Sequence, residues 1–249
     1  LQVTFGNKTE AAALVRQVDS ASGLASVVVA RAAISDSTHT YLRIATLGNS
    51  YLLTQSNPVI AVGRPLGYSR SVVYGTVAYI NSTVEGEDSQ LRLLQTSMAG
   101  SASARGLLLN TNGEVVGWIT RQYHADLPSM IAAISISDLK GIIEKLINGQ
   151  GIADLGIHGQ NVTSVIASEE NLPIGVYVTK TLDNKAAQDA GIQNGDIITA
   201  FNGVEVSRLR DLQVDIESCT PGQKVVITLQ RGGRDGYEEK QFTVTLGSR

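Results

Sequence analysis

A knot of serines, three histidines, one cysteine and a glycine between two aliphatic residues are the positions in this chain able to do chemistry. Ser97, Ser101 and Ser103 crowd one stretch, and a serine hydroxyl next to a general base can act as a nucleophile. No such base is visible, so the stretch reads as a polar surface loop. His39 and His124 fall in loops and His158 in a strand; an isolated loop histidine reads as solvated surface. No His/Asp/Glu cluster has metal-ligand spacing, and a single cysteine, Cys219, excludes an internal disulfide or a cysteine-based metal cluster. Gly149-Gln150-Gly151 precedes a strand instead of opening a helix, so it is no dinucleotide loop. No cofactor and no metal is expected. Gly156, between Leu155 and Ile157, is what a tightly curved backbone loop needs, because glycine tolerates positive φ.

The elements that must position these residues are mostly strands. Leu1, Val3 and Phe5 alternate with polar neighbours, the period of a half-buried strand. Apolar runs follow at 26–30, 41–47, 59–63, 71–80 and 91–96, and the runs 106–109 and 114–119 flank an Asn112-Gly113 hairpin turn. Seven or more strands with no helical pattern between them predict an all-β barrel or sandwich. A helix is then predicted from an N-cap at Ser137 to Gly149, with Leu139, Ile142, Ile143, Leu146 and Ile147 on one face. The domain boundary falls at Gln150-Gly151, giving domains 1–149 and 151–249. The second mixes strands (155–162, 175–179, 197–201 and a terminal hairpin of 225–229 with 242–246) with helices at 185–190 and 207–218.

The bulk composition narrows the function classes. The 249 residues are 43% hydrophobic, enough for real cores, and the net charge of -3 argues against a nucleic-acid partner, which calls for a basic face. No run of about eighteen apolar residues is present, so no segment of this sequence is expected to span a bilayer. The first residues have no basic flank or cleavage motif of a signal peptide.

The second domain resembles a PDZ domain. Asp154-Leu155-Gly156-Ile157 looks like its carboxylate-binding loop. Gly175-Val176-Tyr177-Val178, Ala186 to Ile192 and Asn194-Gly195-Asp196-Ile197-Ile198 resemble, in order, the core of the bacterial, circularly permuted type. Such a domain adds an extended peptide to a sheet edge and captures its terminal carboxylate with backbone N–H groups. The resemblance implies a peptide-binding site at Leu155, Gly156 and Ile157, with Leu209, Leu212 and Ile216 of the following helix lining a pocket for the last side chain. For each helix residue taken singly, a plain core role is the competing reading.

The first domain resembles the trypsin-fold serine proteases of the HtrA (DegP-like) group. The residues that carry this are Leu47-Gly48-Asn49-Ser50, Val59 to Gly67, Ser71 to Val77, Leu94-Gln95-Thr96, Gly106 to Asn110, Gly113 to Gly117 and Ile136 to Leu139. Serine hydrolysis needs an activated hydroxyl, a histidine to take its proton, an acid to orient the histidine, and oxyanion donors. Aligned on Gly106, the family's nucleophile falls on Ala104, with Arg105 in place of a glycine and Ala102 in place of another. Its acid falls on Gly23, and its histidine would precede Leu1. A trypsin-fold domain needs on the order of 200 residues and fewer precede Gln150, so its front part is expected to be missing.

The resemblance therefore implies a mainly β protein, an N-terminally incomplete trypsin-like barrel followed by a permuted PDZ domain of α+β type. It would be a catalytically inactive homologue whose partners are peptides or protein C-termini, acting as regulator, scaffold or chaperone. An endopeptidase completed by an absent segment or a partner chain, and a structural assembly subunit, are the alternatives. The family further implies a bacterial cell-envelope location, homo-oligomers and often a membrane anchor upstream.

Overall fold

A computed structural model of the chain describes residues 1–120, 130–234 and 236–249. They divide into two compact units, Leu1–Val84 with Leu91–Gln150, and Glu85–Gln90 with Gly151–Arg249. The six residues Glu85–Gln90 thus group with the second unit, although the sequence alone puts them in the first domain.

In the first unit, β1 (Gln2–Thr4), β2 (Glu10–Asp19) and β3 (Leu24–Val29) form an antiparallel sheet. The strand β2 was not legible as a separate apolar run, because its Ala-rich alternation carries little hydrophobic contrast. A predicted strand at 41–47 is absent. Instead α1 (Asp36–Tyr41) occupies its start, capped by the Ser35 hydroxyl accepting from the Thr38 N–H at 3.3 Å. Next come β4 (Pro58–Gly63), β5 (Ser71–Gly86), β6 (Ser89–Ala99), β7 (Gly106–Leu109), β8 (Val115–Ile119) and β9 (Met130–Ser135), closed into a barrel in the order β4-β5-β6-β9-β8-β7. Closure leaves no sheet edge, the barrel solution of the two that the strand pattern allowed. Its interior holds Val59, Ala61, Val77, Leu94, Leu108, Val116 and Ile131, with Ala104 among them.

Helix α2 (Ile136–Asn148) begins one residue earlier than the predicted cap. Ser137 instead lies inside the first turn, where its hydroxyl accepts from the Ser50 N–H and its own N–H donates to the Ser50 hydroxyl, each at 3.0 Å. Gly149 ends the helix at φ +67, with the Gln150 N–H closing onto the Lys145 carbonyl at 2.9 Å.

The second unit contains β10 (Ala153–Asp154), β11 (Ile157–Val162), α3 (Ser164–Glu170), β12 (Gly175–Thr181), α4 (Ala186–Ala190), β13 (Ile197–Phe201), β14 (Val204–Glu205), α5 (Leu209–Ser218), β15 (Lys224–Gly233), β16 (Gly236–Thr245) and β17 (Gly247–Ser248). The predicted strand 155–162 begins only at Ile157, after the turn at Leu155-Gly156, and α3 is a helix that the sequence did not reveal. The main sheet runs β11-β12-β13-β15-β16, so β11 is an edge strand, paired among the described residues only with β12. The terminal hairpin pairs the two expected runs but is longer, with Val225 opposite Val244 and Ile227 opposite Phe242.

Candidate functional site

Two places answer to the chemistry discussed above, and each is built within one unit. The first is the loop 100–105 before β7. Ser101 and Ser103 share a hydroxyl contact of 3.0 Å, and the Ser103 N–H donates to the Ser101 hydroxyl at 3.1 Å, so the serines satisfy one another. The loop is pinned to the turn after β4. The Arg64 N–H donates to the Arg105 carbonyl at 2.7 Å, and the Ser101 N–H to the Pro65 carbonyl at 3.0 Å. Gly106 is required by packing, since a Cβ there would lie 2.0 Å from the Val62 carbonyl oxygen.

Ala104 is 8% exposed, its methyl group turned into the barrel core. Its N–H donates to the Ser101 carbonyl at 2.8 Å and is thus committed within the turn. Gly23 sits in the β2–β3 connection at φ +71, beyond a buried Asp19 carboxylate that accepts from the Ser22 N–H at 3.1 Å and from its hydroxyl. The Asp19 carboxylate is thereby turned to local capping. His39 lies on α1 and His158 on β11, neither on an element of the serine loop, and His124 lies outside the described residues.

The second place is the loop from Asp154 to Ile157. Gly156 has φ +83, and the backbone turn it permits points three successive N–H groups at one spot. A carboxylate occupies that spot, the side chain of Asp88. It accepts from Leu155 N at 2.7 Å, from Gly156 N at 2.9 Å and from Ile157 N at 2.9 Å. The Asp88 N–H in turn donates to the Ile157 carbonyl at 2.9 Å, a bond of the kind an added strand would make to the open edge of β11. Nothing about Asp88 in the sequence announced this, since its partners lie 67 to 69 residues away.

Charges surround the loop. Lys185 donates to Asp154 and pairs with Glu87 at 2.8 Å, while Arg249 donates to the Glu87 carbonyl at 3.0 Å. Burial pushes the Asp88 carboxyl up from its ordinary range, and the Arg249 charge with the three N–H donors pulls it back part of the way. For Lys185, burial works against the charge, but Asp154 and Glu87 outweigh it and hold the ammonium above its usual value. Glu87, Asp88 and Asp154 bring carboxylate oxygens within 4.8 Å of one another. That spacing would suit a cation, but the Lys185 ammonium already bridges two of the three carboxylates.

The apolar residues expected to line the peptide pocket are gathered in one cluster. Leu155, Ile157, Leu209 and Leu212 have no exposed surface and Ile216 has 1%. Helix α5 is tied to β11 by the Leu209 N–H donating to the Asn161 side-chain oxygen at 2.6 Å. A further side chain from residues 85–90 reaches the same strand, Gln90 accepting from Asn161 at 3.2 Å, and Gln160 donates to Glu85 at 2.7 Å.

Residues 1–117 match the trypsin-like peptidase domain family and residues 153–246 the PDZ domain family. Among relatives, the putative serine protease HhoA of Synechocystis is 30% identical over 209 residues, 78% of this chain and 53% of that protein. Bacillus subtilis serine protease Do-like HtrB is 29% identical over 213 residues, 77% of this chain and 46% of that protein. The periplasmic serine endoprotease DegP of Escherichia coli is 26% identical over 195 residues, 76% and 41%. The chain therefore spans about half the length of these relatives. Among solved structures, the HtrA-type protease AlgW with a decapeptide has the same fold, with a TM-score of 0.67 at 21% identity over all of this chain and 75% of that one. A serine endoprotease from Yersinia pestis gives a TM-score of 0.60 at 22% identity, over all of this chain and 79% of that one.

Proposed function

The chain is an HtrA/DegP-like protein joining a trypsin-like domain to a PDZ domain, and from that premise we propose a catalytically inactive member that binds peptide or unfolded-protein C-termini. The observation that carries the binding half is the convergence of the Leu155, Gly156 and Ile157 N–H groups on a single carboxylate, beside the open edge of β11. A peptide C-terminus presents the same group at the end of an extended strand. AlgW, with the same fold, has been solved with a decapeptide, and this supports peptide as the ligand class.

The inactive half is supported by residue chemistry. A methyl group stands where the family carries its nucleophile, and the Ala104 N–H that an oxyanion would need is held by the Ser101 carbonyl. Glycine stands at the acid position. Regulation, scaffolding or chaperoning at the bacterial cell envelope, as a homo-oligomer, is the role we infer; the periplasmic relative supports the location.

Two measurements test this. Unfolded casein incubated with the purified protein should remain intact; time-dependent fragments that persist in an Ala104→Gly variant would sink the inactive reading. Calorimetric titration against a library of C-terminal peptides should give heat for free carboxylates and none for the matching carboxamides. Silence across the library would leave a structural subunit as the better account.

A further inference from the structure

The carboxylate in the loop belongs to this chain, and it is presented the way a ligand would be. Glu87 and Asp88 are the two turn residues between β5 and β6, and Asp88 takes φ +52, a left-handed conformation that aspartate tolerates better than most residues. In that pose the backbone N–H bonds to Ile157 while the side chain fills the N–H nest, which reproduces both ends of a C-terminal residue's recognition with a residue that is not terminal. The flanking turn residues reinforce the seat. Glu87 pairs with Lys185, Glu85 accepts from Gln160 and Gln90 accepts from Asn161, so residues 85–90 lie along the loop and the β11 edge together.

Asp88 is fully buried, at 1% exposure. Burying a carboxylate is costly unless its partners are excellent, and hydrogen bonds to a charged acceptor are among the stronger ones. Three short bonds from the nest offset the burial, and removing the acceptor would leave three buried N–H groups without it. An incoming C-terminus therefore meets an occupied nest and must displace Asp88 before it can bind.

We propose that Asp88 is a tethered internal ligand of the PDZ carboxylate loop, so that this module recognises an acidic turn as well as a free C-terminus and is closed to peptides while the turn is seated. This rests on the peptide-binding reading above and adds a competitor to it. If the turn is seated in all but one molecule in ten to one in a hundred, apparent peptide affinity is weakened by about 10- to 100-fold, because only the open fraction binds.

The test uses the whole chain with Asp88→Gly, which suits the positive φ of the turn, and Asp88→Asn, which keeps the shape and removes the charge. Amide hydrogen exchange reads the nest without any peptide. In both variants the Leu155, Gly156 and Ile157 amides should exchange faster, most in Asp88→Gly; unchanged protection in both overturns the proposal. Fluorescence anisotropy with a labelled hexapeptide ending in an apolar residue then measures the competition. Asp88→Gly should bind the free-carboxylate form about 10-fold or more tightly than the unmodified chain does, with no gain for the carboxamide. Equal affinity for the carboxylate in both proteins refutes the internal ligand while leaving peptide binding intact. Faster amide exchange with no peptide bound by either protein supports the seated turn and defeats the peptide-binding reading instead.

Discussion

Replacing Gly156 with alanine puts the carboxylate loop under a defined stress. A Cβ at this position would sit 2.2 Å from the Lys185 Cβ and 2.7 Å from its Cγ. The first of these atoms is fixed to the backbone at the N-cap of α4, so it cannot swing aside like the end of a side chain. The backbone at φ +83 adds about 1–2 kcal/mol for any residue with a Cβ. Overpacking adds about 1–3 kcal/mol, and the reduced freedom of alanine in the unfolded chain returns about 0.4–1 kcal/mol. The sum is a loss of about 1–5 kcal/mol, which for a slope of about 2 kcal/mol per molar lowers the urea midpoint by about 0.5–2.5 M. Displaced Lys185 would also loosen its hold on Asp154 and Glu87.

The transition is best followed by far-UV circular dichroism and by amide signals from residues 151–249. The sole tryptophan, Trp118, lies on β8 of the first unit and is a poor reporter of this loop. Binding of a free-carboxylate peptide should be lost in parallel. An unchanged midpoint together with unchanged peptide affinity would refute both the steric estimate and the assignment of the loop.

Three further outcomes are expected. Ala104→Ser should leave casein uncut and lower stability by about 1 kcal/mol, the net cost of burying a hydroxyl with imperfect partners, as read by thermal melting; casein cleavage would show that the remaining machinery is intact. Arg231→Met should destabilise the second unit by about 3 kcal/mol in urea, because it strips the partner from Asp196, which is 1% exposed and accepts from both Nε and Nη2 of Arg231 at 2.7 Å; a loss too small to measure would mean that the Gln193 N–H alone satisfies that carboxylate. Lys185→Met should cost stability at neutral pH. Because Lys185 titrates above its ordinary value of about 10.4, its contribution is complete below that pH and fades as pH rises through the raised value. On raising the pH from neutrality, the gap between the unmodified chain and the variant should therefore persist until strongly alkaline pH, and a gap that closes near neutrality would contradict the ion pairs.

Much of the scaffold could be read locally. The Asn112-Gly113 turn, the helix ending at Gly149 and the segment from Ala186 to Ile198 depend on turn chemistry and short-range periodicity, which a few neighbouring residues specify. Elements with weak contrast escaped: the Ala-rich β2, the polar α1, and α3, whose seven residues include none that are buried. The run 41–47 misled because five apolar residues, Tyr41, Leu42, Ile44, Ala45 and Leu47, imitate a strand; in the structure Tyr41 ends α1, and Tyr41, Leu42 and Ile44 are exposed.

By itself the sequence determined which atoms are present. Ala104 and Gly23 carry no hydroxyl and no carboxylate, and folding cannot add them. It likewise determined that Gly156 could turn the backbone sharply enough to gather three N–H groups. Only the tertiary structure decided what meets those groups. Glu87-Asp88 reads as one acidic turn among others, and its seat in the loop follows from a pairing across nearly seventy residues that no local pattern encodes. Tertiary packing also decided that Leu209, Leu212 and Ile216 lie sealed in one core with Leu155 and Ile157. Periodicity can assign a residue to the apolar face of a helix, but whether that face is closed over or left open depends on the elements that pack against it.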